Sequence, residues 1–440
     1  MHLGIFEQPE ENDFFSKLLG CRVHYLDHFL QSKLRKEKVM KRYLIVGDGV
    51  AGARGAIKIK ETDPKGEVHL FTEEAFPFYY RVRFPEMVAG EVSMKDLVIH
   101  SKEFYQNKGI SLYLEEKITR VQPEKKEAIS EKGKTYPYDR LLLATGGYAF
   151  VPPIKGIEKK GVFTLRSMKD ALTFKEYLNG VKQAILIGGG LVGLETGGAL
   201  LRRGIAVAVI EQNPRILPRQ MDLEGAQILQ GKMEGMGFSF FLNGQSEEIL
   251  GDEKVEGLRL KDGRVVEGQM AILSAGVRPN IQLAKEMGLE IKNGILVDDR
   301  METNIEAIFA AGDAAEHRGR VYGIWPAAQK QGEIAGVNMA GGDATYPGTV
   351  VSNTLKVVGI ELTAMGEIDA ERKLECVVRS DREACTYCKV TFKEDKIVGC
   401  ILLGEVKGKN EILNAIEQKV NVAALKDSIL KEGFDLKSLK

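Results

Sequence analysis

The sequence predicts an α/β protein with two interleaved doubly wound, Rossmann-like domains and a small α+β domain at its C-terminal end. Two observations predict the doubly wound domains: a glycine-rich turn follows an apolar strand at residues 43–52, and the same pattern recurs at residues 184–193. A third observation, short apolar segments separated by turns after residue 351, predicts the small domain. A chain of 440 residues is long enough for this organisation.

The composition argues against several classes of partner. The 62 basic residues balance 62 acidic ones, so the chain has no net charge that would attract nucleic acid or an anionic membrane. No apolar run reaches the roughly 18 residues of a membrane span, and the first residues lack a secretory apolar segment. Five cysteines in a chain of this length predict free thiols. We therefore expect a cytoplasmic protein with no metal site, no nucleic-acid partner and no membrane partner.

Residues 1–39 are an N-terminal extension that the first glycine-rich motif does not need. The segment has weak helical periodicity and ends in a charged run at residues 33–38. Met40 would be an ordinary start just ahead of the first strand, so we expect a misassigned start and a folded protein from Met40 onward. The alternative is a helix that docks on the following domain.

The first motif, residues 43–52, predicts a strand, a tight turn and the start of a helix. Gly47 permits the turn, and Gly49 lets the backbone approach a pyrophosphate group. Gly52 lets the following helix, expected from Ala53 to about Lys60, pack close to the strand. The N–H groups at the start of that helix face the phosphates. The predicted cofactor contacts of this motif are Gly47, Gly49, Val50, Ala51 and Gly52.

A second strand, residues 67–74, ends in acidic residues. An acid at this position accepts hydrogen bonds from the ribose hydroxyls of a bound dinucleotide. We choose Glu73, with Glu74 as the alternative. The block closes at residues 138–147, where an apolar strand runs into small residues that allow a cofactor to approach, although a buried strand and turn alone would look the same. The predicted contacts there are Ala144, Thr145 and Gly146.

The same order of motifs recurs after the stiff, proline-containing segment 151–156. A second glycine-rich turn is followed by a strand that ends in Glu211, and residues 270–280 repeat the ending of the first block around Gly276. Two copies of this pattern predict two bound dinucleotides. The predicted contacts of the second turn are Gly188, Gly190, Leu191, Val192 and Gly193.

Glu195 is the candidate catalytic residue. It stands two residues after Gly193, in what the pattern predicts to be the first turn of the second helix. Its carboxylate could face the nicotinamide and the flavin. The alternative is an acid that the helix dipole favours at a helix N-terminus.

A last motif lies at residues 303–315, where a short apolar strand ends at Gly312 and Asp313. A carboxylate at this turn can accept a hydrogen bond from a ribityl hydroxyl. The whole order of motifs from residue 40 to 350 resembles the FAD-dependent pyridine nucleotide-disulfide oxidoreductase superfamily. The resemblance implies an NAD domain at residues 157–274 inserted between two parts of an FAD domain, residues 40–156 and 275–350.

One branch of that superfamily is the most similar. Disulfide reductases carry a redox-active cysteine pair, but this chain has no cysteine between Met40 and Glu375. Residues 76–84 and 88–91 instead resemble the NADH:rubredoxin oxidoreductases, the ferredoxin reductases and the flavin module of NADH-dependent nitrite reductases. Where relatives often place a lysine, this chain has Glu86, which puts a lysine partner for Glu195 in doubt. The resemblance implies FAD contacts at Glu73, Arg81, Ile118, Thr145, Gly146, Asp313 and Trp325.

Residues 351–440 predict short strands and a C-terminal pair of helices, and resemble the small C-terminal domain of rubredoxin reductases. Cys385 and Cys388 could suggest a redox pair or a zinc site. We prefer packed thiols, because an offset of three places two side chains on opposite faces of a strand, and zinc would need a second pair of ligands.

The resemblance implies that NADH transfers a hydride to FAD and that electrons pass to a small redox protein such as rubredoxin or ferredoxin. One alternative is a peroxide-forming NADH oxidase. Another is a redox-responsive protein that binds FAD and NADH with slow turnover. The oligomeric state is left open.

Overall fold

The computed structural model describes residues 40–357, 359–404, 408–431 and 434–439. The expected N-terminal extension, with both of its interpretations, lies outside these residues. The first block contains the elements β1 (Arg42–Val46), α1 (Val50–Thr62), β2 (Glu67–Phe71), α2 (Phe84–Ala89), α3 (Lys102–Asn107), β3 (Ile110–Tyr113), β4 (Ile118–Gln122), β5 (Glu127–Ser130), β6 (Thr135–Pro137), β7 (Arg140–Leu143) and β8 (Gly147–Ala149).

The second block repeats this order of elements. It contains β9 (Val162–Phe163), α4 (Met168–Tyr177), β10 (Gln183–Ile187), α5 (Leu191–Arg202), β11 (Ala206–Glu211), α6 (Leu223–Glu234), β12 (Phe238–Leu242), β13 (Ser246–Leu250), β14 (Gly257–Leu260), β15 (Val265–Glu267), β16 (Met270–Leu273) and β17 (Val277–Pro279).

The chain then returns to the first block and continues into the C-terminal domain. The returning elements are α7 (Gln282–Glu286), β18 (Ile295–Val297), β19 (Ile308–Ala310), β20 (Ala315–His317) and α8 (Trp325–Met339). The C-terminal domain contains β21 (Ser352–Val357), β22 (Ile360–Gly366), β23 (Glu375–Asp381), β24 (Thr386–Lys393), β25 (Lys396–Leu403) and α9 (Lys409–Gln418). Short 3-10 turns lie at Arg81–Arg83, Met94–Leu97, Gly312–Ala314 and Leu436–Ser438.

Two five-stranded parallel sheets form the centre of the protein. Their strand orders are β19-β7-β1-β2-β3 and β12-β11-β10-β16-β9. Each block also has a three-stranded antiparallel sheet, β4-β5-β6 in the first and β13-β14-β15 in the second. Strand β19 follows the whole second block in sequence but belongs to the first sheet. The segment that forms the second sheet is therefore inserted, along the chain, between strands β7 and β19 of the first sheet. The predicted pair of interleaved doubly wound domains is confirmed, whereas the exact domain boundaries stay a prediction.

The apolar strands form these sheets because both of their faces are covered. In β1, Tyr43 and Ile45 pack into one hydrophobic cluster while Leu44 and Val46 pack into another on the opposite face. This alternation follows from the two-residue period of a strand.

Glycines allow the helices to approach the first sheet closely. Helix α1 begins at Val50 and not at the expected Ala53, so Gly52 lies inside it. A Cβ atom on Gly52 would stand 1.8 Å from the carbonyl oxygen of Gly47. Helix α8 packs on α1 in the same way, because a Cβ on Gly332 would stand 2.2 Å from the carbonyl oxygen of Ala51.

The C-terminal domain is an antiparallel sheet of order β21-β22-β25-β24-β23. One face shares a hydrophobic cluster with the second block, in which Leu362 and Tyr387 join Val209 and Leu229. The other face packs against α9 through residues such as Val390 and Ile412. The predicted helix pair is wrong: in the described part of the tail after α9, the backbone forms turns and one 3-10 turn, and Asn421 pairs with Lys396 of β25.

Candidate active site

A cavity of about 450 Å³ lies at the carboxyl ends of strands β1, β2 and β7. This edge of a doubly wound sheet is where such folds bind nucleotides. The structure therefore gathers residues that are far apart in sequence. Ten of the predicted FAD contacts line the cavity, namely Gly47, Gly49, Val50, Glu73, Arg81, Ile118, Ala144, Thr145, Gly146 and Trp325.

The other predicted FAD contacts stand outside the cavity lining. Ala51 and Gly52 are buried in α1, and Gly312 is buried beside them with a Cβ position 3.1 Å from the side chain of Ala51. The carboxylate of Asp313 accepts a hydrogen bond from Arg166 Nη2 at 2.8 Å. Arg166, which also donates to the carbonyl of Gly147, was missed by sequence reasoning. Burial and the neighbouring charge of Arg81 lower its pKa.

Arg81 provides a test of whether the cavity suits FAD. Its guanidinium lies on the cavity wall, 3.6 Å from the carboxylate of Glu74, and its buried Nε has no hydrogen-bond partner. An orphaned donor of this kind is costly unless a ligand atom accepts from it. At the glycine turn that also lines the cavity, a Cβ on Gly49 would meet no protein atom within 4 Å. An open glycine turn at a helix N-terminus and a guanidinium whose Nε still lacks an acceptor fit a dinucleotide with a pyrophosphate.

Asp48 is a second residue that sequence reasoning missed. It stands between the two glycines of the first turn and lines the cavity. Its carboxyl group accepts a hydrogen bond from the N–H of Phe78 at 2.9 Å and lies 2.5 Å from the hydroxyl of Tyr105. Burial raises the pKa of Asp48 to about 8, although both hydrogen bonds oppose this rise, and the nearby Glu74 adds to it. The carboxyl group is therefore mostly neutral at pH 7.

The two candidate ribose-binding acids, Glu73 and Glu74, differ in their hydrogen bonds and in their exposure. Strand β2 ends at Phe71, so both glutamates follow it and both line the cavity. The carboxylate of Glu74 accepts hydrogen bonds from the Tyr79 hydroxyl at 2.7 and 2.9 Å, and from the N–H of Met168. Glu73 is 56% exposed and pairs with Lys117 at 2.6 Å. The more accessible Glu73 stays the predicted ribose acceptor.

The second glycine turn has a similar shape and an equally open glycine. A Cβ on Gly190 would come no closer than 3.9 Å to any protein atom. Leu191 and Val192 begin helix α5, and Val192 is exposed. Gly193 faces the strand, since its Cβ position is 2.7 Å from Ser274 Oγ. Gly188 and Gly276 both have positive φ angles, of 115° and 107°, that favour glycine.

Glu211 lies at the end of β11 beside this second turn. Its carboxylate accepts hydrogen bonds from the N–H groups of Gly189 and Asn213, both at 2.8 Å. Arg215 is directed elsewhere: its guanidinium donates to the carbonyl of Met221 and pairs with Glu371 at 3.2 Å. Arg215 is therefore not available to offset the negative charge of Glu211 at a coenzyme.

Glu195 is half-buried in α5. Because the helix begins at Leu191, Glu195 is its fifth residue and lies in the second turn, so the expected place in the first turn is wrong. A helix dipole acts mainly on the first turn, which weakens the purely structural explanation of this acid. Glu86, the residue that puts a lysine partner for Glu195 in doubt, pairs with Arg83 at 2.6 Å.

Cys385 and Cys388 are packed thiols, as predicted. Cys385 precedes β24 and belongs to the cluster shared with the second block, whereas Cys388 packs on the opposite face of the sheet. Both are free thiols, and burial raises the pKa of Cys388 and of Cys400 to about 12. Among the described residues, no group of His, Cys, Asp and Glu side chains could hold a metal ion.

No helix in the described ranges is long and apolar enough to pass through a membrane.

Comparison with known proteins gives a consistent family. The chain is 35% identical to nitrite reductase [NAD(P)H] of Bacillus subtilis over 87% of its own length and 48% of that protein. It thus spans about half the length of that relative.

A second relative is matched over nearly its whole length. NADH-rubredoxin oxidoreductase of Clostridium acetobutylicum is 32% identical over 88% of this chain and 98% of that protein. A crystal structure of NADH:rubredoxin oxidoreductase from the same species superposes with a TM-score of 0.75, at 28% identity over 87% of this chain and 96% of that one.

Two family descriptions match successive parts of the chain. Residues 352–420 match the rubredoxin NAD+ reductase C-terminal domain. Residues 41–332, which include both glycine turns and the cavity, match the pyridine nucleotide-disulphide oxidoreductases. With two interleaved nucleotide-binding domains and these matches, the chain belongs to the pyridine nucleotide-disulphide oxidoreductase family, whose enzymes use FAD and NAD(P)H.

Proposed function

We propose that this protein oxidises NADH through bound FAD and delivers the electrons to a small electron-transfer protein such as rubredoxin or ferredoxin. The observation that carries the proposal is the absence of any cysteine from residue 22 to residue 375, a range that contains the whole FAD cavity and the second glycine turn. A disulfide substrate or relay would need a thiol there. The match of residues 352–420 to the rubredoxin NAD+ reductase C-terminal domain supports a protein acceptor.

The residues on the cavity wall would hold FAD in an extended form. The N–H groups at the start of α1 and the open face of Gly49 would receive the pyrophosphate, and Glu73 would accept from the adenosine ribose. Arg81 Nε would gain an acceptor, and the Arg166–Asp313 pair would place a carboxylate beside the ribityl chain. When bound, the flavin accepts a hydride and can release electrons to one-electron carriers.

The second turn would hold NADH. The open face of Gly190 would receive its pyrophosphate, and Glu211 would accept from its adenosine ribose, which favours NADH over a coenzyme with a 2′-phosphate. Glu195 would lie toward the nicotinamide. The protein would thereby orient the two cofactors for direct hydride transfer.

One second function is favoured by a specific observation. NADH oxidase of Methanocaldococcus jannaschii is 33% identical over 82% of this chain and 87% of that protein. A chain without an active-site thiol could reduce oxygen to peroxide directly. The redox-responsive binding protein and the cytoplasmic location expected from the sequence stay predictions.

The test is steady-state NADH oxidation by the FAD-loaded protein with rubredoxin, ferredoxin, polysulfide, ferricyanide and oxygen as parallel acceptors. We expect fast turnover with rubredoxin or ferredoxin and with ferricyanide, and slow turnover with oxygen and polysulfide. Equal rates with oxygen and with the protein acceptors would favour the oxidase. Slow turnover with every acceptor, together with tight NADH binding, would favour the redox-responsive binding protein.

A further inference from the structure

A group of polar and charged side chains around the buried Asp222 connects helix α6 to the C-terminal domain. Asp222 and Lys389 are 1% and 0% exposed, and their Oδ2 and Nζ atoms are 3.4 Å apart. The hydroxyl of Tyr387 donates to the same carboxylate at 2.6 Å, and Arg372 Nε does so at 3.3 Å. These four residues are called the Asp222 cluster below.

The partners of Asp222 favour its carboxylate form. Burial alone would raise the pKa of Asp222, but the Tyr387 hydroxyl, the N–H of Gly225 and the charges of Lys389 and Arg372 lower it overall. Removing one partner from such a group leaves a buried charge without compensation. The cluster therefore resists separation of the C-terminal domain from the start of α6.

Asp222 marks the end of a loop that begins at the coenzyme site. Residues 212–221 join Glu211, at the end of β11, to Asp222, which caps α6 by accepting from the N–H of Gly225 at 3.1 Å. Inside the loop, the N–H of Leu217 donates to the carbonyl of Gly189 at 3.0 Å. A backbone hydrogen bond thus connects the loop to the second glycine turn.

The C-terminal domain also contacts the middle of this loop. Arg215 Nε donates to the carbonyl of Met221 at 3.0 Å, and Arg215 Nη2 pairs with Glu371 Oε1 at 3.2 Å. The neighbouring Arg372 binds both Asp222 and, at 2.6 Å, Glu224 in the first turn of α6. Two consecutive residues of the C-terminal domain therefore bind the middle and the end of one loop.

We propose that the C-terminal domain positions the loop that binds the adenosine half of NADH, with Arg372, Tyr387 and Lys389 as positioning residues that never touch the coenzyme. The proposal rests on the proposed placing of NADH against Gly190 and Glu211. A loop without helix or strand must lose conformational freedom when a ligand orders it. Contacts that order the loop beforehand lower this cost and so increase affinity, while the chemical step is unaffected.

The test measures KM for NADH and kcat with ferricyanide in the FAD-loaded, full-length protein. Arg372→Met and Tyr387→Phe should each raise KM by about twofold to 30-fold, which corresponds to the coupling of about 0.5 to 2 kcal/mol that residues outside a site usually have, with kcat and FAD content unchanged. Arg372→Lys should restore part of the affinity. The matched control is Lys426→Met, because Lys426 pairs with Glu375 and Asp395 at 2.7 Å, both inside the C-terminal domain. Its KM should equal that of the unchanged protein.

Tyr387→Phe removes a single oxygen atom and provides the same test should Arg372→Met be insoluble. An unchanged KM in the soluble variants, or a fall in kcat without a rise in KM, would overturn the proposal. A rise in KM for Lys426→Met equal to that for Arg372→Met would also overturn it, as a general loss of stability would then explain both. Gly190→Ala distinguishes a failure of this inference from a failure of the proposed NADH site. If Gly190→Ala raises KM for NADH while the variants of the Asp222 cluster do not, only the present inference fails. If it too leaves KM unchanged, the NADH site itself is misplaced.

Discussion

The two open glycines, Gly49 and Gly190, allow each cofactor site to be impaired without disturbing the fold. Their φ angles of −96° and −88° suit alanine. A Cβ on Gly49 would have no protein neighbour within 4 Å, and one on Gly190 would have its nearest at 3.9 Å. Alanine at either position should therefore leave the free energy of unfolding of the apoprotein unchanged or raise it by about 0.4 to 1 kcal/mol through the unfolded chain.

Alanine at these two positions should instead weaken binding of the cofactors. A methyl group in the turn would push the pyrophosphate away from the helix N-terminus, and losing one hydrogen bond to a charged group costs about 1.5 to 3 kcal/mol. At about 1.4 kcal/mol for each factor of ten, Gly190→Ala should raise KM for NADH by roughly 10-fold to 150-fold. Gly49→Ala should instead raise the dissociation constant for FAD by a similar factor and leave a folded protein that loses FAD on dilution.

The assay combines the thermal midpoint, FAD content by absorbance, and NADH–ferricyanide kinetics. Gly231→Ala is the matched control, because Gly231 lies in α6 with no protein atom within 4 Å of its Cβ position. It should leave FAD content and KM unaltered. The assignment of the two sites would be refuted by a Gly190→Ala protein that loses FAD but keeps its KM, or by a Gly49→Ala protein that keeps its FAD.

Three further predictions concern the coenzyme, the thiols and pH. The kcat/KM for NADH should exceed that for NADPH at least about tenfold, because a 2′-phosphate brings about 1.5 to 2 negative charges toward Glu211, and Glu211→Ala should shrink this ratio; equal values for the two coenzymes would contradict it. Replacing Cys385 and Cys388 by serine should leave ferricyanide turnover nearly unchanged, and one NADH should reduce one FAD; a titration that needs two NADH would show that a dithiol takes part. The FAD dissociation constant should rise about tenfold as pH increases through 8, because Asp48 is neutral below its pKa of about 8 and above it repels the pyrophosphate. In Asp48→Asn, fluorescence titration should show no such step, and a step that persists would assign it to another group.

Much of this architecture follows from local sequence patterns. The glycines at 47, 49 and 52 and at 188, 190 and 193 each require a strand, a turn and a helix in that order, and β1, α1, β10 and α5 form there. The small residues at 144–146 were predicted to lie near the cofactor because they follow a buried strand, and they line the cavity. Such short-range rules hold because they depend on backbone geometry and burial alone.

The polar contacts of the site do not follow from such patterns. Arg166 reaches Asp313 across 147 positions of sequence, and Lys389 reaches Asp222 across a similar distance along the chain. Neither Arg166 nor Lys389 belongs to a sequence motif, and only folding brings each of them close to its partner. In the described part of the tail the expected second helix is replaced by turns, and there too the contacts are tertiary: Asn421 pairs with Lys396, and the N–H of Val422 donates to the carbonyl of Asp395.

The insertion of one sheet into the other also determines the order in which the molecule can be completed during synthesis. All five strands of the second sheet, from β9 to β16, leave the ribosome before β19 exists. Until residue 310 has emerged, the first sheet lacks its edge strand β19, and until residue 339 has emerged, α1 lacks the complete helix α8 that begins at Trp325. Because domains fold as units as they emerge, the sheet that begins the sequence is the second of the two to obtain all of its strands. The cavity at the first sheet can therefore be completed only after every strand of the second sheet has emerged.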